Sequence, residues 1–272
     1  MPELPEVETI KRDLEKILVG RKITGVCVHH PAVIREPGEE RFKKGLEGAV
    51  VNGILRRAKV LILELSNGKS LAVHLKMTGQ LVYPGDGSKS RVSFRLSGGN
   101  LLDFNDQRLF AELRLTDDWR SLKFIRSLGP EPFDINFQQF KEMLMKKKTK
   151  IKPLLMDQRF ISGIGNLYAA EALFRAGIHP ACSANGLNDK ERAKLFSAIK
   201  GVLTEAIRHG GSSVDDYVRV SGRPGDYARF HKVYGREGEP CLICKTPINR
   251  VSMGGRGTYF CPKCQKQDEK TY

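Results

Sequence analysis

Four cysteines set the tightest constraint on what this chain can fold into. Cys241-Leu242-Ile243-Cys244 is followed, after sixteen residues, by Cys261-Pro262-Lys263-Cys264. Two CxxC pairs at this separation are the donor pattern of a tetrahedral four-thiolate zinc site. Four thiolates leave the metal no open position, so one structural zinc ion is expected, holding the fold and taking no part in chemistry. Disulfides would need an oxidising compartment. The N-terminus carries acidic residues where a secretory signal has its basic region, so a cytoplasmic chain with reduced thiols is expected. Between the pairs, Ile248 to Met253 and Thr258 to Phe260 read as short strands turned by Gly254-Gly255-Arg256-Gly257. Arg256 is expected at that hairpin tip, its flanking glycines allowing close approach to a phosphate. Cys27 and Cys182 stand alone and read as small core residues.

The remainder of the chain is basic. Its 46 Lys+Arg outnumber 31 Asp+Glu, a net charge of +15 in 272 residues. That balance favours a polyanionic partner, nucleic acid first and an anionic membrane surface second. No apolar run approaches the ~18 residues needed to span a bilayer. The length allows two domains, each with its own core.

Hydrophobic spacing divides the chain. Val7, Ile10, Leu14 and Ile17-Leu18 recur at helical intervals, with Pro5 tolerated in the first turn and Gly20 as a stop. From Lys22 to about Leu115 short, often β-branched runs alternate with Gly, Asn and Ser, the pattern of an antiparallel sandwich or barrel. Gly129-Pro130-Glu131-Pro132 ends this texture. Helices are expected over Phe137 to Lys148, from Leu154-Leu155 onward, over Leu167 to Ala176 and over Asp189 to His209. The resulting class is α+β and multidomain. The expected divisions are a leading helix with β-sandwich over 1–130, a helical domain over 131–232, a zinc hairpin over 233–268 and a tail over 269–272.

Several side chains carry candidate chemistry. Removal of Met1 would make Pro2 the N-terminus. A free α-amino group has a pKa of roughly 7.7–8.0, so a useful fraction is neutral at pH 7, whereas a lysine is almost fully protonated. An N-terminal proline nitrogen can therefore attack a sugar carbon and form an iminium, with Glu3 beside it to move a proton. Lys146 to Lys152 holds five lysines in seven residues, a phosphate-facing run. Gly163-Ile164-Gly165-Asn166 opens a helix, where backbone N–H groups bind anions and Asn166 can cap or donate. Met77, Arg108 and Phe110 come from two turns of the β-region and together could wedge into a base stack.

These stretches, taken in order, resemble the bacterial formamidopyrimidine-DNA glycosylase family. The similarity runs over nearly the whole chain. It is carried by Met1 to Glu8, His74 to Gly79, Ile151 to Gln158, Gly163 to Pro180, Val233 to Gly238 and Arg256 to Cys261. The resemblance implies an N-terminal β-sandwich, a helix–two-turn–helix domain and a zinc finger, with damaged double-stranded DNA held between the lobes. It implies that Pro2 is the Schiff-base nucleophile and Glu3 its acid/base partner. Lys59 matches the lysine that assists β-elimination, and Arg256 the arginine assigned to δ-elimination. His74, Arg108, Lys147 and Asn166 fall on phosphate-contacting positions. Met77, Arg108 and Phe110 match the triad that fills the gap left by an extruded nucleotide.

The implied activity is excision of oxidised purines followed by strand cleavage, by a monomer that needs no nucleotide cofactor and associates with the nucleoid through DNA. A same-fold glycosylase preferring oxidised pyrimidines, and a non-catalytic zinc protein that binds DNA or RNA, are the alternatives. Leu4 stands where the pyrimidine branch usually has Gly, which favours purines. Four departures from the family pattern stand out. Ala58 and Ala111 replace glycines. Arg91 replaces a DNA-contacting histidine, keeping a phosphate-binding charge. Ser221 replaces part of an Asp-Gly pair in the loop expected to cover the lesion.

Overall fold

The computed structural model describes residues 1–214 and 216–266. The expected tail over 269–272, and positions 267–268 of the expected zinc segment, lie outside the described residues. Two compact units are formed, Met1–Arg126 with Ile207–Ala228, and Ser127–Ala206 with the chain from Arg229 onward.

The first unit begins with α1 (Leu4–Leu18), whose Leu4, Val7, Ile10, Leu14 and Leu18 make one buried face. Pro5 lies in its first turn, where a missing N–H costs no helical bond. The chain continues through β1 (Ile23–Val28), β2 (Ile34–Glu36), α2 (Glu39–Leu46), β3 (Val51–Arg57), β4 (Val60–Leu65), β5 (Ser70–His74), β6 (Gln80–Gly85), β7 (Ser90–Leu96), β8 (Leu101–Asn105), β9 (Glu112–Thr116) and a single turn α3 (Lys123–Arg126). One sheet has the order β1-β7-β8-β6 and the other β2-β9-β5-β4-β3. Phe42, Leu61, Val73, Phe104 and Leu113 belong to a core shared by both sheets and α1. The expected all-antiparallel pattern fails at one place, because β2 pairs parallel with β9. A parallel neighbour needs a long crossover, and β3 to β8 supply it.

One other expectation gives way here. Cys27 is exposed. Val26 on β1 faces the core, and period-two alternation turns the next residue outward. By its contacts the segment 207–228 groups with the β unit, because Tyr217 and Val220 insert into the sandwich core.

The second unit holds α4 (Phe137–Met145), α5 (Ile151–Met156), α6 (Asn166–Ala176), α7 (Asp189–Arg208) and the hairpin β10 (Asn249–Met253) and β11 (Arg256–Phe260). An Asn136–Gln139 capping box starts α4, its two reciprocal bonds at 3.0 and 2.9 Å. It stops at Met145, three residues short of the expected end, where the lysine run begins and like charges would crowd one helical turn. Glu171 on α6 is buried, and its carboxylate accepts the backbone N–H groups of Lys232, Val233 and Tyr234 at 2.9 to 3.1 Å. Those dipoles offset the cost of burying the charge and anchor the chain that leads into the cysteines. The hairpin turn is Gly254-Gly255 alone, with φ of 57° and 72°, the two positive values that favour glycine in a two-residue turn. Arg256 is therefore the first residue of β11, paired with Met253, and not part of a four-residue tip.

Candidate active site and metal centre

The N-terminal end of α1 is enclosed. Met1 is exposed, whereas Pro2 and Glu3 are buried. Glu3 donates its backbone N–H to Glu6 Oε2 at 2.8 Å, and Glu6 Oε1 accepts the Ser212 N–H at 2.8 Å. One buried carboxylate thus joins the start of the chain to a segment about two hundred residues later. Sequence reasoning gave Glu6 no role, although an acidic residue three positions after a helix cap is the signature of such a reciprocal bond.

Lys59 lies on the two-residue turn between β3 and β4 and is buried. Arg56 holds this turn to α1: its Nε donates to Glu8 Oε2 at 2.9 Å and its Nη1 to the Ala58 carbonyl at 3.0 Å. Burial pushes the Glu8 carboxyl up, but the Arg56 and Arg12 guanidiniums outweigh it and hold Glu8 below the usual carboxylate range. Ala58 has φ 51°, which explains why glycine is the common residue there. An alanine in this region costs about 1–2 kcal/mol of backbone strain.

His74 ends β5, cross-strand from Val60. Its Nδ1 accepts the Lys76 N–H at 3.1 Å, which leaves Nε2 as the donor. Burial, then the Lys76 and Lys59 ammoniums, drive its pKa from 6.5 down to about 3. His74 is thus a neutral donor at physiological pH. Its protonation should be absent in an NMR titration from pH 8 to pH 5. The unfolded chain takes up that proton below 6.5, so the stability involved is present above 6.5 and is lost as pH falls towards 3. A titration midpoint near 6.5 in the folded protein would contradict this environment.

Two turns bring Met77, Arg108 and Phe110 to the surface. Arg108 and Phe110 are exposed, Met77 is half-buried, and the Arg108 guanidinium lies 4.8 Å from the Phe110 ring centroid. Asp106, 1 % exposed, braces both turns. It accepts the Thr78 hydroxyl from the Met77 turn, the Ala111 N–H at 2.7 Å and the Arg108 N–H at 3.3 Å. Arg91 joins them by donating Nε to the Asp106 carbonyl at 2.8 Å. Lys76 and Leu109 have φ of 50° and 56°. Together with Ala58, three of the four non-glycine residues at positive φ among the described residues adjoin Lys59, Met77, Arg108 and Phe110. Strain concentrated beside candidate residues is the usual mark of a functional surface. Asp106 was missed because nothing local in Asn105-Asp106-Gln107 announces a brace between distant turns.

In the second unit Lys147 is exposed just beyond α4. Asn166 is the first residue of α6, whose cap is Gly165, so its side chain does not cap. Its Oδ1 accepts the Lys152 ammonium at 2.6 Å and its Nδ2 donates to the Gly257 carbonyl at 3.1 Å. Lys152, 1 % exposed, also donates to Thr258 Oγ1 at 2.8 Å. This buried network fixes β11, and hence the exposed Arg256 at its start, to the beginning of α6. The sequence marks Lys152 as one of five lysines and as part of the Ile151 to Gln158 stretch, with nothing to announce a buried anchor.

Cys241, Cys244, Cys261 and Cys264 place their four Sγ atoms within 4.8 Å of one another, with Cys241–Cys264 at 3.9 Å and Cys244–Cys261 at 3.4 Å. A metal bound at ~2.3 Å in a tetrahedron of thiolates requires sulfurs roughly 3.8 Å apart. The donor set and its spacing fit one structural metal ion.

Known proteins resemble this chain over nearly its whole length. Residues 1–113 match the formamidopyrimidine-DNA glycosylase N-terminal domain, 128–218 the H2TH domain of the same family, and 238–267 the zinc finger found in FPG and IleRS. Formamidopyrimidine-DNA glycosylase of Pelotomaculum thermopropionicum is 46% identical over 274 residues, 98% of this chain and 99% of that protein. The protein of that name from Solibacter usitatus is 43% identical over 268 residues, 98% and 100% of the two chains. The crystal structure of the MutM (FPG) protein from Thermus thermophilus superposes with a TM-score of 0.88 at 38% identity, covering 98% of this chain and 99% of that one. That of Lactococcus lactis Fpg with an abasic site containing DNA gives 0.89 at 35%, covering 97% and 100%. With all three parts matched in order and relatives this similar over their full length, the chain belongs to the formamidopyrimidine-DNA glycosylase family.

Proposed function

We propose that this protein is a bifunctional DNA glycosylase and AP lyase that removes oxidised purines from duplex DNA. The observation that carries this reading is the enclosed N-terminal end of α1, with Pro2 and Glu3 buried and Glu6 tying them to Ser212. The full-length family match supports it, and so does a structural neighbour, MutM in complex with carbocyclic 8-oxo-G containing DNA.

In this mechanism Lys147, Arg91, Arg108, neutral His74 and Asn166 contact phosphates. The damaged nucleotide rotates out of the stack, as it must for an enzyme to reach atoms hidden inside a duplex, and the segment 212–226 covers the extruded base. Pro2, free of Met1, attacks C1′ through its neutral nitrogen, and the C1′–base bond breaks with the pair leaving on the base. Glu3 moves the protons that ring opening and iminium formation require. The iminium acidifies the C2′ proton. Its removal, assisted by Lys59, expels the 3′-phosphate, and a second elimination expels the 5′-phosphate while Arg256 stabilises the departing charge as a bidentate donor. The metal held by the four cysteines is zinc, the ion that four thiolates in a tetrahedron select.

Incubation with an 8-oxoguanine:C duplex should give strand cleavage with phosphate at both ends of the gap. Preferential cleavage of duplexes bearing oxidised pyrimidines would replace the purine assignment, and binding without cleavage of either would leave only the scaffold reading.

Met77, Arg108 and Phe110 fill the vacated stack, offsetting an unstacking cost of a few kcal/mol. Phe110→Ala should slow excision from intact duplex by roughly tenfold or more and affect cleavage at a preformed abasic site far less, because less stacking is broken there. Equal losses on the two substrates in single-turnover assays would rule out the wedge.

A further inference from the structure

The segment that returns to the first unit is held by two buried side chains, Tyr217 and Val220. Arg219 lies between them. Its backbone closes the exposed tip of the segment: Arg219 donates its N–H to the Arg223 carbonyl, and Gly222 donates to the Arg219 carbonyl, both at 2.8 Å. Its side chain leaves the segment and reaches α1. Nε and Nη2 donate to Oδ2 and Oδ1 of Asp13 at 3.0 and 2.7 Å, a two-pronged match of guanidinium and carboxylate. The stem runs across Gly210, its Cδ 3.5 Å from where a Cβ would stand. The Asp13 side chain is 14% exposed and the Arg219 side chain 42%, so the carboxylate end of this pair is shielded while the guanidinium end meets solvent.

Helix α1 therefore holds the segment through Glu6 as well as through Asp13. Its first turn holds Ser212 through Glu6, whose other oxygen holds Glu3. Further along the same helix, Asp13 holds the residue from which the tip turn 219–223 is built. The tip itself, Ser221 to Pro224, is exposed, and among the described residues no buried side chain lies within it.

We propose that Asp13 and Arg219 are positioning residues that fix the 219–223 tip relative to the Pro2 end of α1, and that this fork controls handling of the base and not the chemistry at the sugar. The inference rests on the reading of 212–226 as the segment that covers an extruded base. An abasic site offers the tip nothing to grip. Loss of the fork should consequently slow release of a base and leave cleavage at a preformed abasic site unchanged.

Two measurements on the full-length protein separate tip positioning from base handling. The first is hydrogen exchange of amides in 216–226 without DNA. The second is single-turnover excision of 8-oxoguanine set against cleavage of an abasic duplex. Asp13→Ala should speed exchange and slow excision, each by about fivefold, with abasic cleavage within about twofold of the parent. Exchanging the two groups, Asp13→Arg with Arg219→Asp, should restore both toward parental values, which a generally loosened fold would not allow. Unchanged exchange in Asp13→Ala would overturn the fork as a positioning device. Faster exchange with an unchanged ratio of the two activities, or equal losses on both substrates, would overturn its link to the base. If the parent protein acts on neither duplex, the glycosylase reading fails, while the exchange comparison still decides whether Asp13 holds the tip.

Discussion

A protein carrying one extra residue ahead of Pro2 will form no borohydride-stable adduct with DNA, and its strand cleavage will fall by roughly 10³-fold or more. The reason is electronic. With Met1 removed, the proline nitrogen is a secondary amine whose lone pair is free whenever it is unprotonated. An added residue turns it into a tertiary amide, whose lone pair is delocalised into the carbonyl. Glu3, Lys59 and the phosphate contacts would all remain, so DNA binding should change little. This separates the nucleophile from the scaffold. Borohydride reduces an iminium to a stable amine and leaves a simple complex untouched, so the adduct is a direct report on bond formation. Pro2→Gly keeps a terminal amine and should retain part of the trapping, since a primary amine also forms a reducible imine. Equal trapping by the extended protein would remove Pro2 from the mechanism and point to a lysine.

Much of this site was legible because its signals are local. The two CxxC pairs name their own geometry, and the period of Val7, Ile10 and Leu14 is enough to define α1. Arg256 follows from its place between the knuckles, although the turn proved tighter than four glycine-rich residues suggested. What the sequence hid is the set of buried charges that hold these parts. Glu6 meets Ser212, Asp106 meets Thr78, Lys152 meets Thr258 and Glu171 meets Val233. Each partner is distant along the chain, and an isolated Glu, Asp or Lys looks like a solvated side chain until the fold supplies it. The same holds for α2, where Phe42 and Leu46 alone carry the buried face of a two-turn helix. Ala111 shows a departure absorbed by packing. It is fully buried, it donates its N–H to Asp106, and its methyl occupies room that exists because position 79 is glycine. Ala58 shows one absorbed as strain, with Arg56 gripping its carbonyl.

The other large effect concerns the metal. Cys261→Ser will bring bound zinc close to zero, dismantle the hairpin and weaken DNA binding, while the β-sandwich stays folded. The hairpin module is too small to hold itself together by burial alone. Its apolar contacts form a small cluster in which Cys241 and Cys261 pack with Ala170, Phe174, Val233 and Ile248, so two of its members belong to the four-cysteine group itself. Zinc sites of this type contribute about 10–16 kcal/mol to folding of the segment they close, far more than such a cluster can supply. A serine hydroxyl is a poor zinc ligand and Cys261 is completely buried, so water cannot easily complete the coordination. The damage should spread by a traceable route. Cys261 donates its N–H to Gln265 Oε1 at 2.9 Å, and Gln265 donates in turn to the Ile178 carbonyl at 2.9 Å. Losing the knuckle releases that hook and the Lys152–Thr258 bond, and with them the fixed position of Arg256. The slope of log affinity against log salt should accordingly become shallower by about 1, the share of one phosphate contact, and more if the buried lysine network also opens. The core of the first unit shares no residue with this cluster, so its amide protection should match the parent. Metal analysis, hydrogen exchange of 249–260 and a salt titration of DNA affinity measure the three consequences separately. Full zinc occupancy in Cys261→Ser would refute the four-thiolate centre. Loss of zinc with an unaltered hairpin and salt slope would show instead that Lys152, Asn166 and Thr258 hold Arg256 in place without the metal.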